Sequence, residues 1–219
     1  MLARAGDIPR GSGWVFEPKL DGFRCLACTH GVLRVRSRRG WDMTSLLPEL
    51  RALPENVQLD GEIVALDANG LPDFHRLSSR VLHKRTGVAV TFFVFDVLAV
   101  EGLATTMLPY EERRALLEEL EVEGPHVQLV ATFEDGVALF ETVCARGLEG
   151  VVAKRLHDPP GERLWVKTKN RATARFAEER ARARFLAEVA GSSSRSWTAS
   201  AVLPAPMASC ASVRGADGT

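Results

Sequence analysis

The residues most able to do chemistry cluster in the segment Glu17-Pro18-Lys19-Leu20-Asp21-Gly22-Phe23-Arg24. Lys19 follows a short β-like run and precedes the turn signal Asp21-Gly22, so it is predicted to lie at a strand end that a ligand can approach. A lysine becomes a nucleophile once it has lost its proton, and desolvation and nearby cations both favour that loss. The segment predicts a nucleophilic site. The alternatives are a surface hairpin turn and, for Asp21, a role in capping that turn.

The strands that must position Lys19 are predicted from the periodicity of apolar residues. Val32–Ser37 alternates apolar and basic residues, which predicts a hairpin strand with one basic face. Thr91–Leu98 is nearly all apolar and rich in aromatic residues, which favours a central strand buried on both faces. The predicted strands are Trp14–Glu17, Phe23–His30, Val32–Ser37, Val57–Leu66, Thr91–Leu98, Val151–Lys154 and Leu164–Lys169.

Helical periods separate these strands at Thr44–Leu53, Pro109–Leu120 and Glu134–Arg146. Thr44 is the expected cap of the first helix, and Gly147 is the expected C-cap of the last. Strands and helices together predict an α+β domain of antiparallel sheets flanked by helices, and not a βαβ repeat.

The character of the sequence changes near residue 172. Ala172–Ala190 is rich in Ala, Arg and Glu and predicts a helix that ends at Gly191, whereas Ser192–Thr219 has no periodicity and predicts a disordered tail. We therefore expect a domain over residues 1–171, a helical extension over 172–191 and a tail over 192–219.

Composition and charge narrow the classes of partner. Lys and Arg number 28, as do Asp and Glu, and this balance argues against non-specific nucleic-acid binding by the whole molecule. From Lys19 to Arg39, however, six cations stand against the single acid Asp21, which predicts a local basic surface, with an ordinary solvated face as the alternative. No run approaches the roughly 18 apolar residues that span a bilayer, and Met1–Asp7 has no apolar core of a signal peptide. We expect a cytoplasmic protein with no membrane partner.

Six segments, in order, resemble the motifs of one enzyme family. On these residues the chain resembles the covalent nucleotidyltransferases, among them the ATP-dependent DNA ligases, and most closely the small bacterial ligases related to end-joining enzymes. The similarity runs from Trp14 to Arg171. The segments are Glu17–Arg24, Ser37-Arg38-Arg39-Gly40, Leu59-Asp60-Gly61-Glu62-Ile63-Val64, Thr91–Leu98, Leu148-Glu149-Gly150-Val151-Val152-Ala153-Lys154-Arg155 and Trp165-Val166-Lys167-Thr168-Lys169. The resemblance implies a ligase-type, ATP-grasp-like nucleotidyltransferase domain that seals nicked double-stranded DNA in repair and recombination.

The resemblance also implies the catalytic residues. Lys19 would attack the α-phosphorus of ATP, form a phosphoramide-linked AMP and expel pyrophosphate. Lys167 and Lys169 would neutralise the α-phosphate and, as cations, favour the neutral amine of Lys19; two lysines two apart on a strand otherwise make a solvated face. Asp21 would orient the site. Glu149 would hold Mg²⁺ or Mn²⁺ over the phosphates, where a lone acid at a strand start is otherwise a surface residue.

A second set of residues would hold the rest of the nucleotide. Phe95 would stack on adenine; Phe93 shares its strand face, so sequence alone leaves both open and the motif match selects Phe95. Glu17 and its flanking backbone would read the adenine edge. Arg24 and Glu62 would hydrogen-bond the ribose hydroxyls, and a Glu in an apolar strand needs a partner if it is buried.

Arginines would bind the DNA. Arg38 and Arg39 would bind the 5′-phosphate of the nick, because a bidentate guanidinium suits phosphate, and Arg34 and Arg36 would extend the contact to neighbouring phosphates. Such a protein would be associated with the bacterial nucleoid. Related ligases continue into an OB-fold domain, but only 219 − 169 = 50 residues follow Lys169, too few and too polar for a five-stranded barrel. We expect the OB-fold domain to be absent and a partner protein, an OB-fold or end-joining protein, to take its place.

Two other interpretations use the same residues. An RNA ligase or an mRNA-capping guanylyltransferase shares the Lys-x-Asp-Gly core, although Glu17–Arg24 and Leu148–Arg155 are more similar to DNA ligases. A non-catalytic or truncated ligase remnant that binds nucleotide or DNA is favoured by the missing OB-fold domain. It is disfavoured by the reactive residue types that all six segments retain.

Overall fold

Two β-sheets form the framework of the chain in a computed structural model, which describes residues 3–85, 87–157 and 164–173. These residues belong to one compact unit, Met1–Ala174. The predicted helical extension and tail lie outside the described residues, apart from Ala172 and Thr173. In chain order the elements are β1 (Arg4–Ala5), β2 (Trp14–Lys19), β3 (Phe23–Cys28), β4 (Arg34–Ser37), β5 (Val57–Val64), α1 (Phe74–Val81), β6 (Thr91–Val100), β7 (Leu103–Ala104), α2 (Tyr110–Glu119), β8 (Val127–Leu129), α3 (Gly136–Ala145), β9 (Gly150–Arg155) and β10 (Trp165–Lys169).

Within the described residues the larger sheet has six strands, in the order β4-β3-β5-β6-β7, and β8 also pairs with β6. The pairing is antiparallel except between β6 and β8, which run parallel. Alternate residues of β5 and β6, such as Leu59, Ile63 and Phe92, are fully buried in the main core. Apolar residues of α1 and α2, among them Leu77 and Leu117, complete that core.

The smaller sheet has the order β1-β10-β9-β2, with β1 parallel to β10 and the other pairs antiparallel. Helix α3 packs against it and contributes Val143 to a second core that includes Phe16 and Val151. Asp135 caps this helix, because its side chain accepts hydrogen bonds from the backbone N–H groups of Val137 and Ala138. The smaller sheet therefore packs one face against α3, and its opposite face carries the buried side chains of Glu17, Lys154 and Trp165.

The α+β class and the predicted strands are confirmed, with small differences at their ends. The predicted helix Thr44–Leu53 is wrong: two 3-10 helices, Thr44–Leu46 and Pro48–Ala52, take its place. Pro48 lacks a backbone N–H and disfavours a helical conformation in Leu47, whose φ and ψ are −128° and 56°. Helix α1 was not predicted.

The expectation that Thr91–Leu98 is buried on both faces is also wrong. Phe92, Val94 and Asp96 are buried, but Thr91, Phe93 and Phe95 on the other face are only half-buried. The half-buried face includes a wall of the pocket described below. In the part of the chain that the structure describes, no helix has the length and apolarity needed to cross a membrane.

Candidate active site

Lys19 is the last residue of β2, and the Asp21-Gly22 turn leads directly into β3. The turn lies tightly against β5, since a Cβ at Gly22 would collide with the backbone oxygen of Ile63 and the side chain of Glu62. Glycine is therefore required at this turn for steric reasons, and its close approach brings the end of β2 beside β5. The predicted strand-end position of Lys19 agrees with this geometry.

The amine of Lys19 faces a carboxylate. Lys19 Nζ lies 2.6 Å from Glu149 Oε2, and the two side chains are 23% and 14% exposed. Glu149 directly precedes Gly150, which pairs with Lys19 of β2 on one side and with Lys169 of β10 on the other. A Cβ at Gly150 would collide with the carbonyl oxygen of Thr168, so the strands can approach here only at a glycine. This register gathers two lysines and one acid at one end of the sheet.

The structure also brings the two predicted phosphate-binding lysines to this end. Lys169 Nζ lies 4.0 Å from the second oxygen of Glu149, Oε1, and its side chain is 44% exposed. Lys167, two residues earlier on β10, lines the same pocket as Lys19, whereas Lys169 is not among the lining residues. The sequence predicted cations around Lys19. The structure adds the acid Glu149 as its hydrogen-bond partner.

A pocket next to Lys19 is lined by residues from both sheets. Its aromatic wall consists of Phe95 and Trp165, whose rings meet edge to face with centroids 5.8 Å apart. The Arg24 guanidinium carbon lies 5.3 Å from the Phe95 centroid, in cation–π range. The lining residues are Ala3, Glu17, Pro18, Lys19, Leu20, Arg24, Arg38, Glu62, Phe95, Val130, Val152, Lys154, Trp165 and Lys167.

The three phenylalanines of β6 have different surroundings. Phe92 is fully buried in the main core, as predicted. Phe93 and Phe95 lie on the opposite face, but Phe95 lines the pocket and Phe93 is not among the residues that do. The geometry therefore favours Phe95 over Phe93 as the ring available to a ligand, which the sequence pattern alone left open.

Arg24 and Glu62 are cross-strand partners on β3 and β5. Arg24 forms a bidentate ion pair with Asp60, with Nε 2.9 Å from Oδ1 and NH2 2.7 Å from Oδ2. Burial raises the pKa of Glu62 to about 8, although the nearby Lys19 and Arg24 oppose the shift. Asp60 thus fixes the guanidinium at the pocket wall, and Glu62 stands beside it as an acid with a strongly perturbed pKa.

The side chain of Glu17 is buried in an ion-pair cluster. Glu17 Oε1 accepts hydrogen bonds from Lys154 Nζ at 2.6 Å and from the Tyr110 hydroxyl at 2.8 Å. Burial raises the pKa of Glu17 and lowers the pKa of Lys154, and the attraction between the two groups opposes both shifts. Burial also raises the pKa of Tyr110, and the adjacent Glu17 reinforces that shift. The predicted contact of Glu17 with a base therefore has to use its other oxygen or its backbone.

The predicted phosphate-binding arginines follow β4. Arg34 and Arg36 are exposed and alternate with the buried Val35, which confirms a strand with one basic face. Arg38 and Arg39 are exposed in the turn after β4, and Arg38 lines the pocket whereas Arg39 does not. Asp21 lies in the turn between β2 and β3 and is also not a lining residue.

Four residues of the site were not singled out from sequence: Asp60, Tyr110, Lys154 and Trp165. Asp60 and Lys154 did carry a signal, since each is a charge within an apolar strand run and a buried charge needs a partner. Tyr110, the single tyrosine of the chain, carried none, because its partner Glu17 is 93 residues away.

Glu149 is the described residue best suited to hold a divalent metal. Among the described residues, no three His, Cys, Asp or Glu side chains lie close enough together to hold a metal ion. Mg²⁺ commonly binds through one or two carboxylates and takes its other ligands from phosphate oxygens and water. Glu149 does not line the pocket, but its carboxylate contacts Lys19, which does, and a single carboxylate fits that donor set.

The two sheets and their pocket define an α+β nucleotidyltransferase domain. A model of the ATP dependent DNA ligase domain matches residues 3–169, and the chain belongs to this family. The chain is 40% identical over 182 residues to the multifunctional non-homologous end joining DNA repair protein LigD of Mycobacterium tuberculosis, covering 78% of this chain and 24% of that protein. It is 31% identical over 150 residues to the SPbeta prophage-derived DNA ligase-like protein LigB of Bacillus subtilis, covering 67% of this chain and 56% of that protein.

The chain is also similar to solved structures. The ligase domain of Mycobacterium tuberculosis LigD matches with 38% identity and a TM-score of 0.66, over 77% of this chain and 58% of that one. A mycobacterial DNA ligase D complexed with ATP and MES matches with 38% identity and a TM-score of 0.64, over 77% of this chain and 59% of that one. The chain spans about a quarter of the length of the LigD proteins that it matches.

Proposed function

We propose that this chain forms a lysyl-adenylate from ATP and transfers the AMP to the 5′-phosphate of nicked DNA. In the first step Lys19 Nζ forms a bond to the α-phosphorus, the bond from that phosphorus to the pyrophosphate oxygen breaks, and the amine releases its proton. One observation carries the proposal: Lys19 stands at a strand end, beside Glu149 and on a pocket with an aromatic wall.

The pocket residues have separate roles in this reaction. Phe95 stacks on adenine, and Glu17 with its flanking backbone reads the base edge. Arg24, held by Asp60, and Glu62 hydrogen-bond the ribose hydroxyls. The need for a fixed guanidinium explains why Arg24 is tied to a buried acid.

The phosphates of ATP are held next to Lys19. Lys167 and Lys169 neutralise the negative charge that grows on the α-phosphate. Asp21 orients the turn that follows Lys19. Glu149 would hold Mg²⁺ or Mn²⁺, and such an ion would neutralise phosphate oxygens and orient the leaving pyrophosphate.

DNA binds along the basic face next to the pocket. Arg38 at the pocket edge and Arg39 beside it bind the 5′-phosphate, and Arg34 and Arg36 bind neighbouring phosphates. The LigD relative is named as an end-joining DNA repair protein, which supports a role in DNA repair. The transfer to DNA and the sealing step use an OB-fold or end-joining protein as partner.

Covalent labelling tests the proposal. The wild type is incubated with Mg²⁺ and ATP labelled on the α-phosphate, beside Lys19→Ala and the control Lys84→Asn. Lys84 is an exposed lysine that does not line the pocket, and its φ of 53° suits Asn. We expect label on the wild type and the control and none on Lys19→Ala. An unlabelled wild type, or label that survives in Lys19→Ala, contradicts the proposal. Labelled GTP in a parallel reaction detects a capping-type activity.

A further inference from the structure

One oxygen of the Glu17 carboxylate accepts two hydrogen bonds. The Tyr110 hydroxyl donates to Glu17 Oε1 at 2.8 Å, and Lys154 Nζ donates to the same oxygen at 2.6 Å. Lys154 Nζ also donates to the carbonyl oxygen of Phe95 at 2.7 Å. The carboxylate on β2 is therefore held from β9 and α2 at once, and the same lysine ties it to β6, the strand that carries Phe95.

These groups are shielded from water. The side chains of Glu17 and Lys154 are 4% and 1% exposed, and Tyr110 is 1% exposed. Lys154 Nζ lies 4.4 Å from the centroid of the Trp165 ring and 4.8 Å from that of Tyr110. Charge-assisted hydrogen bonds in such a low-dielectric, closely packed setting hold a side chain in one arrangement.

The second carboxylate oxygen, Oε2, takes no part in these hydrogen bonds. Glu17 lines the pocket together with Phe95 and Trp165. Its Oε2 accepts no hydrogen bond from the part of the chain that the structure describes, whereas Oε1 accepts two. A ligand lying against the aromatic wall can therefore use Oε2 as a fixed hydrogen-bond acceptor, because Oε1 already accepts two hydrogen bonds.

A fixed acceptor distinguishes purines at their sixth position. The 6-amino group of adenine is a hydrogen-bond donor, and the oxygen of a 6-oxo purine is an acceptor. A carboxylate oxygen accepts from the amino group and repels the oxo group, and an unpaired polar atom left in a closed site is costly. The selectivity depends on the carboxylate being ionised and on Oε2 pointing at the base.

We propose that Tyr110 is a positioning residue for base selection. Its hydroxyl, together with Lys154, fixes the Glu17 carboxylate so that Oε2 accepts a hydrogen bond from the 6-amino group of the purine. The proposal rests on the proposed function for the identity of the nucleotide. Tyr110 begins α2 and lies outside the six segments on which the resemblance to ligases is based.

The test compares ATP with inosine triphosphate, which has an oxo group in place of the 6-amino group. Equilibrium binding of both is measured by calorimetry for the wild type and Tyr110→Phe, together with the rate of covalent labelling over a range of ATP concentrations. We expect the preference for ATP in binding to fall about fivefold to tenfold in Tyr110→Phe, because one hydrogen bond to the carboxylate is lost. The ATP concentration for half-maximal labelling rises, and the maximal rate stays within about twofold, since Lys19 is not affected.

Thr105→Val is the matched control. Thr105 is a buried residue whose hydroxyl donates to the Val97 carbonyl at 2.6 Å, so this change also removes one buried hydroxyl. It destabilises the fold without touching Glu17, and the nucleotide preference should equal that of the wild type. Glu17→Gln is the second variant. It places an amide, which can donate, at the base edge and should reduce the preference for ATP even if Tyr110→Phe does not fold.

Several outcomes overturn the proposal. The proposal is wrong if the preference for ATP is unchanged in a folded Tyr110→Phe, or if only the maximal labelling rate falls. It is also wrong if the wild type binds the two nucleotides equally. A wild type that forms no covalent AMP contradicts the proposed function instead, and the binding preference still tests Tyr110. A wild type that is labelled, with no change of preference in Tyr110→Phe, contradicts this inference alone.

Discussion

Two lysine–glutamate pairs lie at the same pocket, which is lined by Lys19, Glu17 and Lys154 but not by Glu149. The two pairs have the same N–O distance and differ in burial. Lys19 and Glu149 are 2.6 Å apart with side chains 23% and 14% exposed, and Lys154 and Glu17 are 2.6 Å apart with side chains 1% and 4% exposed. An ion pair near water is worth little to stability and can exchange partners, whereas a buried pair cannot lose one member without a large cost. We infer that the partly exposed pair, Lys19 and Glu149 (the open pair), is reactive. The buried pair, Lys154 and Glu17, shapes the site.

The strands explain the difference. Lys19 is the last residue of β2, where the strand ends, and it lines the pocket. Lys154 lies within β9, paired with Trp165 of β10 and Val15 of β2, so strands enclose it on both sides. The same residue type thus has two roles because of its position along a strand.

Removal of the buried ammonium should have the largest effect on stability. We expect Lys154→Met to lower the free energy of unfolding by about 3–5 kcal/mol, because Glu17 is left buried without its cation. Urea unfolding, followed by circular dichroism, measures the change.

The double variant Lys154→Met with Glu17→Gln is the control for that prediction. It removes both charges, so it should be more stable than Lys154→Met alone, although it has one more substitution. If the losses of stability from the two substitutions simply add, the unpaired charge of Glu17 is not the cause of the loss in Lys154→Met. The proposed difference between the two pairs would then be wrong.

Glu62, which interacts electrostatically with Lys19 and Glu149, should make the stability of the chain depend on pH. Its pKa in the folded chain is about 8 and its usual value is 4.5, so between these values the folded state binds the extra proton. Stability from this group is therefore present at low pH and is lost as the pH rises from about 4.5 to about 8. We expect Glu62→Gln, which resembles the protonated acid, to gain more than about 1 kcal/mol relative to the wild type across that interval.

Urea unfolding of the wild type and Glu62→Gln at about pH 5 and about pH 9 measures this difference. If the difference in free energy of unfolding between the wild type and Glu62→Gln is the same at both pH values, the pKa of Glu62 is not raised. In that case the pocket wall beside Lys19 is wetter than the structure indicates.

The open pair should have the smallest effect on stability. Glu149→Gln should change the free energy of unfolding by less than about 1 kcal/mol, because Lys19 and Glu149 are partly exposed. The Mg²⁺-dependent labelling with ATP should nevertheless be lost, because the carboxylate proposed to hold the metal is gone. A loss of stability as large as that of Lys154→Met would show that the two pairs have the same structural role.

Much of the fold could be predicted from local patterns. The alternation of Arg34, Val35 and Arg36 gave a strand with a basic face, and the Asp-Gly turn after Lys19 gave the strand end. The prediction of a helix over Thr44–Leu53 is wrong because Pro48 disfavours a helical conformation in Leu47, an effect that apolar spacing does not reveal. Local rules therefore work for elements that do not contain a conflict of this kind.

The site was less predictable because its contacts are long-range. Lys19 meets Glu149 across 130 residues, and Tyr110 meets Glu17 across 93. The resemblance to ligases named Lys19 and Glu149 as site residues through its motifs, but it did not predict that they contact each other. It did not identify Tyr110, because no motif or periodicity connects the start of α2 with β2. The burial of Lys154 also depends on register, which sequence did not specify.

The most direct test of the central claim is to locate the covalent AMP. The wild type is incubated with ATP and Mg²⁺, digested under conditions that preserve the phosphoramide bond, and analysed by tandem mass spectrometry. We predict that AMP is found on Lys19 and is absent from Lys154, although both lysines line the pocket and both pair with a glutamate. AMP on Lys154, Lys167 or Lys169, with Lys19 unmodified, would contradict the assignment of the open pair as the reactive one.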